Sequence, residues 1–421
     1  MWLVVVTGVG LALRITYVVV QKHSVLGVDA AYFFDQARLA WNGTGWFIDP
    51  FAFIYKHHAV LQSATHPPLW TLVLVLADAV GLRTYESHLV VASLVGSGAV
   101  FVTGCAARDL AGPRAGLIAA GIAAVYPNYL INDGTGVAES LLLLLVATAV
   151  LVGYRFWRRP SLRLAVALGG VCGLAALTRA EQLLLVVAVL IPVALVIRGR
   201  SLRRRLALAG AGVLTAVVVI APWVGFNMAR FSRPVLMSDD VGSTLVFSNC
   251  RTAYSGPLLG YGDFLCLDAV SPGPGDESVQ DDHYRRVALH YIRGHLGRVP
   301  LVMAARLGRE LGFFKPFDQL RTEDYWNSRP LVPARIGLVM YYGMLVGAVG
   351  GALVLRRRGI TLVPLVGLLL EVAATAMVSI GATRYRVPLE VGLVVSSAVA
   401  LDALVTRIGA RRSASGTGAL L

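Results

Sequence analysis

Residues 139–205 read ESLLLLLVATAVLVGYRFWRRPSLRLAVALGGVCGLAALTRAEQLLLVVAVLIPVALVIRGRSLRRR. Three apolar runs stand out, at 139–154, 163–178 and 182–197. An α-helix rises 1.5 Å per residue and needs roughly 20 apolar residues to cross a bilayer, so each run is close to a span. The gaps between them differ in kind. The first holds Arg155, Arg158, Arg159 and Arg163, and the stretch after the third holds Arg198, Arg200, Arg203, Arg204 and Arg205. The middle gap holds Arg179 beside Glu181. Arginines that cluster at every second gap are the signature of helices threaded back and forth through a membrane, with the clusters on the cytoplasmic side.

The same pattern extends outward in both directions. Further apolar runs lie at 2–20, 87–106, 114–131, 205–224, 335–355, 360–379 and 387–405, which makes ten candidate spans. Arg108 and Arg114, Arg356 to Arg358, and Arg407, Arg411 and Arg412 all fall on the cytoplasmic side if the ten alternate. The chain is 56% hydrophobic and 15% charged, with a mean hydropathy of +0.68. Soluble domains have nearer a quarter of their residues charged. The net charge of +14 sits in short loops as a topology signal, so a nucleic-acid partner is not indicated. Trp2–Val20 has no basic start, and no small-residue cleavage site follows it, so it is read as a retained first span. The expected fold class is an all-α polytopic membrane protein of about ten transmembrane helices. Both termini are expected in the cytoplasm, and the membrane is expected to be the plasma (inner) membrane.

Parity places residues 21–86, 132–138, 179–181, 225–334 and 380–386 on the outer face. Pro67–Gly81 is apolar but short, and a crossing there would put the later arginine clusters outside, so it is expected to be a juxtamembrane helix. The expected organisation is an N-terminal module, 1–224, with its first outer loop at 21–86. An extracytoplasmic region follows at 225–334, with an amphipathic helix near 296–316. The C-terminal helices and cytoplasmic tail occupy 335–421. Residues 225–334 carry twelve acids and twelve bases, without an inside bias.

Polar residues on the outer side form the candidate chemistry. Asp29 opens a stretch, through Tyr32 and Phe33 to Ala40, that has helical spacing. It reads either as an N-cap or as a carboxylate that accepts a proton at the membrane surface. His66 precedes Pro67-Pro68 at the entry of the short helix, near the headgroups. Its readings are an interfacial bystander or a phosphate contact. Glu139 opens an apolar run, where a charge is costly and usually functional, although a helix N-terminus also favours a carboxylate. Asp133 is a looser candidate in the preceding loop. Arg179 with Glu181 reads as an ion pair or as part of a site. Arg384 and Arg386, flanking Tyr385, oppose the positive-inside trend and suit phosphate oxygens. Cys250 and Cys266 share the long outer segment, where an oxidising compartment favours a disulfide, the alternative being two free thiols. Cys105 and Cys172 lie in spans and read as small core residues.

These motifs, in this order, resemble the GT-C superfamily of integral membrane glycosyltransferases. The likeness is to glycosyltransferase family 39, the protein O-mannosyltransferase and aminoarabinose-transferase branch. Arg14, Asp29 with Tyr32 and Phe33, His66-Pro67-Pro68-Leu69, Gly112-Pro113-Arg114, Pro127, Glu139, Gly173 to Arg179 and Arg384 to Pro388 carry the likeness. The resemblance implies a polyprenyl-phosphate-linked sugar as donor and transfer to a lipid, glycan or protein acceptor outside the cytoplasm. It implies Asp29 as general base, Glu139 as the second acid, and His66, Arg179, Arg384 and Arg386 as phosphate contacts. Tyr32, Asp133 and Tyr385 are the expected substrate contacts. Many relatives carry two adjacent acids in the first loop, whereas Ala30 follows Asp29 here. A divalent cation is the one cofactor the resemblance admits, and this departure leaves it open. The competing class is a transporter or flippase of lipid-linked glycans, but no internal repeat is visible and the polar groups gather at one face.

Overall fold

The computed structural model describes residues 1–21 and 27–417, with side chains through 410. The side chains of Arg411 and Arg412 lie outside the described residues. The chain is helical, and among the described residues there is no strand, only an isolated bridge between Ile48 and Gln62. In order, the helices are α1 (Trp2–Val20), α2 (Val28–Trp41), α3 (Pro50–Tyr55), α4 (Leu69–Ala79), α5 (Tyr85–Ala111), α6 (Pro113–Val125), α7 (Pro127–Thr135), α8 (Glu139–Arg158) and α9 (Leu162–Thr178). Residues 180–195 wind through 3-10 and π turns into α10 (Ile191–Leu195). Then come α11 (Leu202–Arg230), α12 (Val241–Ser248), α13 (Phe264–Asp268), α14 (Glu277–Gly294), α15 (Val299–Glu310), α16 (Pro316–Asn327), α17 (Leu331–Arg357), α18 (Val363–Val378) and α19 (Val387–Thr417).

All ten apolar runs are helical. Among the described residues, six helices are long and apolar enough to cross a membrane, or seven if α6 and α7 count as one. Helices α9 and α18 and the 180–195 segment are apolar but shorter, so length and composition do not establish ten crossings. The run at 114–131 is not one straight helix. It bends by 51° at Tyr126–Pro127, where proline cannot donate the helical hydrogen bond. Pro67–Gly81 contains the eleven-residue α4, too short to span.

Small residues let the helices approach closely. A Cβ on Gly169 of α9 would lie 2.0 Å from the Gly212 carbonyl of α11, so only glycine fits there. The first helix is fixed by a polar lock. Arg14 Nε lies 2.7 Å from Asp133 Oδ2, and Arg14 Nη2 donates to the Ala123 carbonyl at 3.1 Å, both side chains being fully buried. This ties α1 to the bent α6–α7 pair.

Residues 225–334 cover one end of the bundle, away from the arginine-rich turns. At the opposite end, Asp109 pairs with Arg155, and Arg114 pairs with Asp402. In the stretch 296–316, expected to be amphipathic, Arg306 and Arg309 are buried while Leu296 and Leu301 are exposed. Arg306 donates to Met377 O, and Arg309 donates to Leu259 O and Gln319. Carbonyls of the 248–259 turn take further donors of both guanidiniums, while Arg306 Nε stays without a partner.

Candidate active site

A cavity of about 790 Å³ opens beneath the covering layer at this end. Its walls come from far-apart segments: the start of α2, the 65–67 turn before α4, residues 178–181, the face of α12, the 261–267 turn, the end of α16 and the junction between α18 and α19. Apart from the face of α12, these segments are loops or helix ends, where polar groups escape the hydrocarbon and free backbone groups are available.

Asp29 stands in the first turn of α2, after the N-cap Gly27. Its Oδ2 accepts a hydrogen bond from Arg384, which sits on the 3-10 turn Thr383–Arg386 leading into α19. Its Oδ1 lies 3.8 Å from His66 Nε2. The His66 ring is held by stacking on Phe33, centroids 4.7 Å apart, and by the edge of Tyr32 at 5.0 Å. Tyr32 is fixed in turn by Ser63 Oγ at 2.7 Å and by Gln36 Nε2, which donates to it. Pro67 and Pro68 preset the chain direction at the entry of α4, so His66 has little freedom.

Arg179 ends α9 and donates to Glu139 Oε1 at 2.8 Å and to Glu181 Oε1 at 2.6 Å. Its guanidinium lies 4.7 Å from the Tyr385 ring centroid, and that of Arg384 lies 5.2 Å from the same ring. Tyr385 thus spaces two cations that would otherwise repel. Glu139 Oε2 and Arg384 Nε are buried without a hydrogen-bond partner, so this cluster keeps both an acceptor and a donor unsatisfied.

Burial alone would raise the Asp29 carboxyl. The charges of Arg384, His66 and Arg179 outweigh it and hold the carboxyl well below the usual carboxylate range. Burial lowers His66, against the opposing pull of Asp29. Asp29 is therefore ionised at neutral pH.

The sequence-predicted residues divide clearly. Asp29, Tyr32, His66, Arg179, Arg384 and Tyr385 line the cavity. Glu139 sits directly behind Arg179. Arg386 and Asp133 are not brought to it. Arg386 turns inward to Glu390 Oε1 at 2.9 Å, and Asp133 is sealed against Arg14, so neither reaches a substrate in this arrangement. Cys250 and Cys266 are joined, with Cα atoms 6.4 Å apart, and the bridge ties the end of α12 to α13.

One wall is absent from the sequence reading. Asp240, Ser243, Thr244 and Phe247 line the cavity from α12. Their spacing of three, four and seven residues puts them on one helical face. Ser243 donates to Asp240, whose carboxyl burial raises to about 7. Glu277, at the start of α14, also lines the cavity and is hydrogen-bonded to Asp239. Burial and that neighbouring acid push Glu277 well above the carboxylate range, so the pair holds a proton between them. Asp239 also ties this wall to the 64–65 turn, since its N–H donates to Ala64 O at 3.1 Å. The sequence signal was an acid followed at helical spacing by two hydroxyls and an aromatic.

Among the described residues, no group of three or more His, Cys, Asp or Glu side chains is placed to hold a metal ion. The groups in direct ion-pair reach of Asp29 are the Arg384 guanidinium and the His66 imidazole, with no second carboxylate among them. This donor set does not fit a divalent cation at Asp29.

Comparisons with known proteins agree with this architecture. The family model "Dolichyl-phosphate-mannose-protein mannosyltransferase" matches residues 65–226. No curated protein matches the sequence. Among solved structures, the oligosaccharyltransferase of Archaeoglobus fulgidus in the apo form superposes with a TM-score of 0.58 at 16% identity, over 99% of this chain and 51% of that one. The archaeal oligosaccharyltransferase AglB in complex with an inhibitory peptide and a dolichol-phosphate gives 0.58 at 14% identity, over 99% and 52%. ArnT from Cupriavidus metallidurans bound to undecaprenyl phosphate gives 0.46 at 18% identity, over 95% and 78%. The chain spans about half the length of the oligosaccharyltransferases. It resembles GT-C membrane glycosyltransferases and has a GT-C-like, all-helical fold.

Proposed function

We propose that this protein, which has a GT-C-like fold, transfers a sugar from a polyprenyl-phosphate donor to an acceptor hydroxyl on the extracytoplasmic face of the plasma membrane. The arginine clusters at the far end of the bundle support that orientation, with both termini in the cytoplasm. The observation that carries the reading is the pairing of Asp29 with Arg384 in a cavity that also holds Arg179 and His66.

In this reading the donor phosphate replaces the Asp29 carboxylate as partner of Arg384, and Arg179 and His66 add further donors. Asp29, released from its strongest cation, regains basicity and accepts the proton of the attacking hydroxyl. The bond from the anomeric carbon to the phosphate oxygen breaks as the bond to the acceptor oxygen forms, with inversion. The electron pair leaves with the polyprenyl phosphate, whose growing charge the arginines stabilise. Phosphate is a good leaving group, so no acid is needed on that side. Glu139 holds Arg179 in place from behind. The polar side chains gather at one end of the bundle, which suits surface chemistry better than a path through the membrane.

The test is to incubate the purified protein with a panel of labelled polyprenyl-phosphate sugars and membrane extracts. One donor is expected to lose its label to a hydroxyl acceptor with release of polyprenyl phosphate. Movement of the intact lipid-linked sugar across the bilayer, with no bond broken, would replace this reading with transport.

A further inference from the structure

The charges lining the cavity are not mixed evenly. Its basic side chains, Arg179, Arg384 and His66, all stand around Asp29 and Tyr385. The lining from α3, α12 and α14 presents Asp49, Asp240 and Glu277 to the cavity and no basic side chain. Arg230 lies behind this wall, where it donates to Phe47 O, Gln62 and Ser63 O. Arg285 is taken up by Asp281. The charges that act on Asp240 are those of Asp29, Asp239 and Asp281, all carboxyl groups.

The acids are not the only polar groups there. Ser243 and Thr244 share the helical face of Asp240, and the same face ends in Phe247. Phe247 begins a run of rings along the cavity: Phe264 at 4.6 Å and Trp326 a further 4.9 Å on. The disulfide between Cys250 and Cys266 and the bond from Thr252 to Asp263 hold this run against α12. Closely spaced acceptors and hydroxyls beside flat apolar rings match a pyranose, whose rim carries hydroxyl donors and whose faces carry C–H groups. They repel a phosphate or carboxylate.

Resting on the donor reading above, we propose that the α12 wall is the acceptor subsite and that it takes an uncharged glycan. Asp240 and Glu277 accept hydrogen bonds from its hydroxyls, and Trp326 and Phe264 cover a ring face. The acceptor must approach the anomeric carbon from the side opposite the departing phosphate, and α12 lines the same cavity as Asp29 and the two arginines. Anionic lipid headgroups are excluded by charge, and a peptide hydroxyl uses too little of the wall.

Equilibrium binding to the purified full-length protein tests this without requiring turnover. At about pH 8.5, above the Asp240 value of about 7, octyl mannoside is expected to bind about tenfold or more tightly than octyl glucuronide, because the glucuronide sets a carboxylate against the ionised Asp240. Asp240→Asn should close that gap to about threefold, and Ser243→Ala should weaken the mannoside severalfold, with unchanged thermal midpoints. Equal binding of the two glycosides would overturn the proposal. So would an unchanged preference in Asp240→Asn, or displacement of the mannoside by a micromolar Ser/Thr hexapeptide. Undecaprenyl phosphate binding, measured in parallel, reads the donor end. Its absence beside a retained glycoside preference sinks the donor reading alone, and its presence without a preference sinks the acceptor assignment alone.

Discussion

Arg384 and Asp29 lie 355 residues apart in the chain and form an ion pair inside the cavity. The pair joins the first outer segment to the turn before the last helix, so the cavity exists only once the whole bundle has assembled. In the proposed reading, it keeps the carboxylate from acting as a base until another anion takes the guanidinium. Arg384→Lys keeps the charge but loses the planar fork, so transfer should fall about 10²-fold with little loss of folded protein. Initial rates at saturating acceptor check this, and a rate within twofold of wild type would remove Arg384 from the phosphate site.

Arg14 and Asp133 form a pair that is wholly buried. Breaking such a pair by removing one member leaves an uncompensated charge and costs about 3–5 kcal/mol. Asp133→Ala should therefore lower the thermal midpoint sharply in detergent. Combining it with Arg14→Met should recover a large part of that loss. A double variant as unstable as the single one would show that the charge is not the cause.

The Asp239–Glu277 pair sets a pH dependence of stability. Burial and mutual repulsion raise Glu277 above its value in the unfolded chain, so the folded protein binds more protons than the unfolded one at neutral pH. The contribution is fully present below the unfolded carboxylate range and is lost as pH rises through the folded value. Stability should fall between pH 6 and 9 by at most about 1.4 kcal/mol per unit for one retained proton. Thermal midpoints across that range check it, and Glu277→Gln should flatten the slope. A midpoint that rises with pH in wild type and variant alike would contradict the assignment.

Cys250 and Cys266 enclose the turn that carries Tyr261 and leads to Phe264. A loop of this size contributes roughly 3 kcal/mol in the chain-entropy account. Cys250→Ser should loosen α13 and speed proteolysis within 249–268 while leaving the transmembrane helices protected. Equal protease patterns with and without the bridge would show that other contacts fix the wall.

Asp29, His66 and Arg384 were legible because each breaks a local rule: an acid just after a span, a histidine before two prolines, an arginine on the wrong side for topology. Local rules do not report rotation. Arg384 and Arg386 stand two residues apart on a tight turn, and one faces the cavity while the other faces Glu390. Nor do they report depth: Asp133 reads as a loop acid and lies sealed in the bundle. The α12 wall depends on how residues 225–334 fold back over the helix ends, a long-range event that periodicity does not encode. The burial of Arg306 and Arg309 is hidden for the same reason, since they find their partners on the 248–259 turn and on the ends of neighbouring helices.

Sugar transfer in this cavity requires Asp29 as the proposed group that deprotonates the acceptor. Single-turnover transfer by Asp29→Asn, measured at the same folded-protein concentration and with polyprenyl-phosphate sugar binding confirmed, tests it most directly. Loss of a general base predicts a rate about 10²–10⁴-fold below wild type with donor binding retained. Transfer at near wild-type rate would show that proton removal, and the sugar-transfer site built around it, lies elsewhere.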